Sequence, residues 1–157
     1  MSWSVQFAER LPLLGHRNWI LVADSAYPAQ VGAMEILATG KEHLGVVQRV
    51  LQEVQAAPHV RAHVFLDAEL AYLTEALAPG WEETHQRLHA LLDPLQPESV
   101  LHEELIGRIG AAARDFQVLV LKTTGTVPYS SVFFELDCGY WSAESEAALR
   151  ERLKSGL

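Results

Sequence analysis

A histidine followed eight residues later by an aspartate, His16 and Asp24, is the pairing in this chain best suited to acid–base chemistry. Imidazole titrates near neutrality, at about 6.5. A carboxylate beside it can orient the ring or share the proton work. The run Trp19-Ile-Leu-Val-Ala-Asp24, apolar up to its closing carboxylate, follows the histidine and has the length and composition of a buried strand. Six strand residues span about 20 Å. The pair therefore meets only if the chain doubles back or a neighbouring subunit brings one to the other. The alternative is a loop histidine and an aspartate that caps the next segment. A second candidate is the turn Gly125-Thr-Val-Pro-Tyr-Ser-Ser131. Pro128 fixes Tyr129 at the mouth of the following strand, where its hydroxyl could bind a polar ligand or its ring could pack on the sheet.

Other chemistry-bearing residues point elsewhere. His59/His63 and His85/His89 are each spaced i, i+4. That spacing on a helix could hold zinc, but no further ligands accompany either pair, so solvent-exposed histidines and no metal are expected. Cys138 is the single cysteine and follows a strand, which predicts a buried structural thiol. The glycine-rich phosphate and dinucleotide loops, the G-x-S-x-G elbow and H-E-x-x-H are all missing. No cofactor is expected.

The elements that must position these residues follow from periodicity. Helices are predicted over 4–14 (broken early by Pro12), 42–57, 68–78, 81–92, 103–114 and 143–154, the last with Ser142 as N-cap. Strands are predicted over 19–24, 34–39, 60–67, 98–101, 116–123 and 131–136. Strands that alternate with helices, mostly as wholly apolar runs, indicate an α/β sheet covered on both faces. Ligands of such sheets sit at strand ends. Asp24, Asp67 and the 124–129 turn are thus the first places to look.

The chain has 157 residues, 49% hydrophobic and 20% charged, with a net charge of −8. This is globular composition for one domain over 1–157, in which 139–157 forms a C-terminal helical extension. The acidic balance and the lack of a Lys/Arg cluster argue against nucleic acid. Apolar runs are far below the about 20 residues that a membrane helix needs. No signal peptide is recognisable, and a lone cysteine suits a reducing compartment, so a cytoplasmic location is expected.

Leu-Leu-Gly15-His16, the apolar strand and Asp24-Ser-Ala-Tyr-Pro28-Ala29 together resemble the N-terminal signature of the D-ribose pyranase / L-fucose mutarotase (RbsD/FucU) family. Gly125 through Pro128-Tyr129-Ser-Ser131 into Val132-Phe-Phe resembles its second signature. The resemblance runs over roughly 5–140, specific in those two patches and loose between them. It implies a three-layer α/β/α fold with a mixed sheet and cofactor-free interconversion of sugar ring forms or anomers. It also implies a homo-oligomer such as a ring-shaped decamer, with the cleft at or near a subunit contact. Residue by residue, it places the family's histidine on His16, its first aspartate on Asp24 and its late tyrosine on Tyr129. A second histidine falls on His102. Where the family has an asparagine, this chain has Ser131.

The resemblance thus assigns catalysis to His16 and Asp24, and binding of a monosaccharide to Tyr129, Ser131 and His102. Ring opening needs a base at the anomeric hydroxyl and an acid at the ring oxygen. The alternative is a catalytically weak or inactive sugar-binding or transport-accessory protein of the same fold. Trp3, Trp81, Tyr140 and Trp141 lie at predicted element ends, where large aromatics mark subunit contacts or cap the core.

Overall fold

A computed structural model describes residues 2–30 and 32–157. Helix α1 (Trp3–Arg10) is capped by Ser2, whose hydroxyl accepts from Val5 N–H. It ends where Pro12 forces a 3₁₀ turn over Leu11–Leu13. Then follow β1 (Trp19–Ala23), β2 (Met34–Ala38), α2 (His43–Ala56), β3 (Val60–Asp67), α3 (Trp81–Leu92) and β4 (Glu98–Val100). The chain closes with α4 (His102–Ala112), β5 (Val118–Lys122), β6 (Val132–Cys138) and α5 (Ala143–Gly156).

The six strands form one mixed sheet in the order β2-β5-β1-β6-β3-β4. Five strands run the same way, and β6 alone runs against its neighbours β1 and β3. That reversal matters for the site. The carboxyl ends of β1 and β3 and the start of β6 reach the same edge of the sheet, as do those of β4 and β5. The 123–131 connection from β5 to β6 must cross the end of β1, because β5 and β6 flank that strand.

Alternation along each strand makes two cores. Ile20, Val22, Val64, Leu66, Leu119, Leu121, Phe134 and Leu136 face α1, α2 and α3. Trp19, Leu21, Phe65, Val118, Val120 and Phe133 face Leu105 and Ile109 of α4. The layers are therefore α/β/α, as expected, but the covering is unequal. Beyond the reach of α4, the second face carries Arg61, His63, Glu135 and Asp137, which pair across β3 and β6. The first half of β3 is accordingly not the buried run that its apolar residues predict.

Three further expectations are corrected. Residues 68–78 do not form a helix. A 3₁₀ turn over Ala68–Tyr72 ends as Leu73 becomes extended. Thr74 Oγ1 then accepts from Leu77 N–H, and the Glu75 carboxylate accepts from the Gly80 and Glu82 amides. Thr74 thus closes a turn and Glu75 caps α3, and neither prolongs a helix of its own. Next, β6 runs on to Cys138 because Asp137 and Cys138 pair with Arg61 and Val60. Finally, Cys138 is half-buried rather than buried. Gly139 follows it where the chain passes close to β3, and a Cβ there would come within 2.5 Å of Pro58 O and 2.8 Å of Val60 N.

No helix among the described residues is long and apolar enough to cross a membrane. No residue of α5 is buried, although Ser142 caps it as predicted.

Candidate functional site

The strand-end edge holds a cleft of about 380 Å³, toward the small end of ligand-binding pockets. Its walls are Asp24, Ala26, Tyr27, Pro28, Gln30, Asp67, His102, Glu103, Ile106, Pro128, Tyr129 and Ser131. Four of the five residues assigned by the resemblance therefore lie together, namely Asp24, His102, Tyr129 and Ser131.

Asp67 ends β3 and is 2% exposed. Its Oδ1 lies 3.0 Å from Nδ1 of His102, the first residue of α4. Burial, against the pull of the His102 hydrogen bond and charge, pushes the Asp67 carboxyl up to about 6. It therefore titrates close to neutrality. Once ionised it only accepts, so Nδ1 of His102 carries the proton and Nε2 is left as a lone-pair acceptor. Glu69 adds orientation from the 3₁₀ turn. Both its carboxylate oxygens accept from the His102 amide, at 3.0 and 3.2 Å. Glu69 thereby caps an α4 whose own N-cap, Leu101, offers no side-chain acceptor.

The opposite wall comes from the β5–β6 connection. Tyr129 sits at φ 59°, a left-handed conformation that a tyrosine rarely adopts. Its ring stands edge-on to His102, with centroids 5.4 Å apart. Ser131 Oγ donates to Asp24 Oδ1 across 3.3 Å. Two buried groups brace this turn. Ser130 Oγ donates to Val127 O at 2.6 Å. His43, at the start of α2, spans 2.7 Å to Ser130 O and 2.9 Å to Thr123 Oγ1. Burial holds the His43 imidazole below its usual range, so it is neutral, with Nε2–H donating to Ser130 O. Nothing in the sequence marked His43 or Glu69, since each works through a fold-dependent contact with residues far along the chain or across a turn.

His16 lies elsewhere. It sits before β1, at the other end of that strand from Asp24, so the two do not meet within one chain. Its Nδ1 is 2.9 Å from Asp137 Oδ1. Burial alone would raise the Asp137 carboxyl, but Arg61, the Cys138 amide, His16 and His63 outweigh it and hold it at about 2. His16 and Asp137 belong to a second cleft, of about 660 Å³, between the sheet and α5. Arg61, Trp141, Glu146 and Arg150 also line it. This larger cleft is the poorer candidate for chemistry, because its carboxylates are paired: Asp137 with Arg61 and Glu146 with Arg150.

The paired histidines are occupied rather than freely solvated. His59 Nε2 reaches the Leu11 and Leu14 carbonyls. His85 stacks on Trp81 and lies 3.1 Å from His89, Nε2 to Nε2. Only His63 of the four is exposed. Of the four aromatics at element ends, Trp3 and Trp81 pack on the core, whereas Tyr140 and Trp141 are exposed.

With this geometry established, the solved structures decide the fold. RbsD of Bacillus subtilis, complexed with D-ribose, superposes with TM-score 0.58 over 87% of this chain and 93% of that one, at 20% identity. The chain has the RbsD/FucU fold. The fucose mutarotase of Streptococcus pneumoniae in complex with L-fucose gives TM-score 0.54 at 14% identity, over 87% of this chain and 93% of that one. FucU of Bifidobacterium longum gives 0.54 at 11% identity, over 85% of this chain and 92% of that one. The sequence matches no protein-family model and no curated protein. The RbsD/FucU fold is thus shared with these structures at only 11–20% sequence identity.

Proposed function

We propose that this chain interconverts ring forms or anomers of a monosaccharide by acid–base catalysis, as a mutarotase or pyranase-type isomerase. The observation that carries this is the His102–Asp67 contact at 3.0 Å, set in a cleft with Asp24, Tyr129 and Ser131. Two RbsD/FucU-fold structures hold D-ribose and L-fucose, which supports a sugar as the ligand.

Opening a hemiacetal ring moves one proton off the anomeric hydroxyl and one onto the ring oxygen, with no net electron transfer. His102 Nε2 takes the proton of the anomeric hydroxyl, ionised Asp67 stabilises the imidazolium through Nδ1–H, and that imidazolium gives its Nε2 proton to the ring oxygen as the ring opens. Reclosure returns the proton. Asp24, oriented by Ser131, and the Tyr129 hydroxyl hold sugar hydroxyls. Seen from this cleft, His16 serves as the partner acid or base only from a second copy of the chain, within the homo-oligomer that the resemblance implies.

Saturation-transfer NMR between anomers and ring forms of ribose, fucose, galactose and glucose tests the assignment. Accelerated exchange is expected for at least one sugar, and His102→Ala should slow it about 100-fold, within the usual worth of a general acid or base. If none of the four exchanges faster with the protein than without it, the assignment fails.

A further inference from the structure

Two buried polar atoms of the cleft take no part in the proton transfer described above. The Tyr27 hydroxyl and Asp67 Oδ2 have no hydrogen-bond partner, and they are the only such buried side-chain atoms among the described residues. Their residues are 5% and 2% exposed. Buried oxygens of this kind are costly to leave unpaired, and native chains leave few of them. Both belong to residues lining the same cleft. Burial, and after it the charge of Asp67, push the Tyr27 phenol up to about 12. Tyr27 therefore stays a donor throughout the working range, and Asp67 Oδ2 is an acceptor once ionised.

A carboxylate oxygen and a phenol on residues that line one cleft are complementary to a group that both donates and accepts. An alcohol is such a group, whereas a carbonyl or an ammonium satisfies only one of the two. We propose that Tyr27 Oη and Asp67 Oδ2 form a subsite for one hydroxyl of the ligand, Tyr27 donating to its oxygen and Asp67 accepting its hydrogen. Resting on the sugar assignment above, this makes Tyr27 a specificity-determining residue. A sugar lacking that hydroxyl leaves both protein atoms unpaired and is selected against, because sites built to bond a hydroxyl reject analogues without it.

The test compares wild type with Tyr27→Phe, which keeps the ring and deletes only the oxygen. Binding and exchange are measured for the preferred sugar and for its monodeoxy analogues. The variant should raise Kd and KM of the parent sugar about tenfold, with kcat within twofold. One monodeoxy analogue should bind wild type and variant alike. Equal affinities for every sugar would mean that the two oxygens hold only solvent, and the subsite falls while any wild-type catalysis stands. A wild type that binds sugar without accelerating exchange, but loses affinity on Tyr27→Phe, keeps the subsite and removes the catalysis. A wild type that binds no sugar overturns both. Should Tyr27→Phe fail to fold, the monodeoxy series on wild type alone decides. A single position whose deletion costs at least tenfold is expected, and a flat series refutes the subsite.

Discussion

At the residue scale, Asp67 carries the sharpest expectation. Its carboxyl is raised from 3.8 to about 6 by burial. The folded state therefore binds this proton more tightly than the unfolded chain does. The resulting stabilisation is complete below about pH 4 and is lost as pH rises through about 6. At about 1.4 kcal/mol per pH unit, the group is worth up to about 3 kcal/mol. Asp67→Asn is neutral at every pH and can still accept from His102. Urea unfolding should find the variant close to wild type at pH 4 and more stable by up to about 3 kcal/mol at pH 8. Sugar exchange should nonetheless fall, because no ionised carboxylate remains to stabilise the imidazolium. A stability difference that does not change with pH would show that Asp67 is not the buried acid described. Asp67 was visible in the sequence as a carboxylate ending an apolar strand. Its contact with His102 was not, since 35 residues separate them.

At the element scale, α4 owes both its start and its placement of His102 to Glu69. Leu101 at its N-cap offers no side-chain acceptor, and the Glu69 carboxylate instead takes the His102 amide, one of the first-turn amides that have no partner within the helix. Glu69→Ala should cost about 1 kcal/mol in denaturant unfolding, the usual worth of a cap. It should slow exchange beyond that cost by loosening the imidazole, and Glu69→Gln should recover part of both. An unchanged exchange rate in Glu69→Ala would show that His102 is held by Asp67 alone. Periodicity located most helices and strands to within one or two residues, because their apolar faces are regular. It failed at 68–78, where Thr74 and Glu75 spend their side chains on turn and cap amides. A hydrophobic pattern does not register that competition.

At the scale of the whole molecule, His16 and α5 bear on assembly. His16 lies a strand's length from Asp24, so a catalytic His16 requires a second copy. Light scattering should then find a multiple of 17.4 kDa. His16→Ala and His102→Ala, each slow alone, should regain exchange when refolded together, because some shared clefts would hold both intact histidines. Mixed samples no faster than either parent, with His16→Ala as fast as wild type, would remove His16 from the chemistry. Helix α5 buries no residue in its own chain. Ending the chain at Ser142 should change unfolding stability by no more than about 1 kcal/mol, as surface changes do. A larger loss in concentrated than in dilute protein would place α5 in the assembly contact.

Local regularities in the sequence determined the alternating elements, the α/β class, the strand-end carboxylates and the Pro128–Tyr129 turn. Each depends on residues within one helix turn or one strand, where side-chain spacing alone dictates which face is apolar. Tertiary structure decided which of the candidates share a cleft. The antiparallel insertion of β6 between β1 and β3 carries Tyr129 and Ser131 to Asp24, and α4 carries His102 onto Asp67. It also left His16 at the far end of β1, against Asp137. Strand order is set by the packing of whole faces against α1 to α4, a sum over many distant contacts that no single stretch of sequence contains.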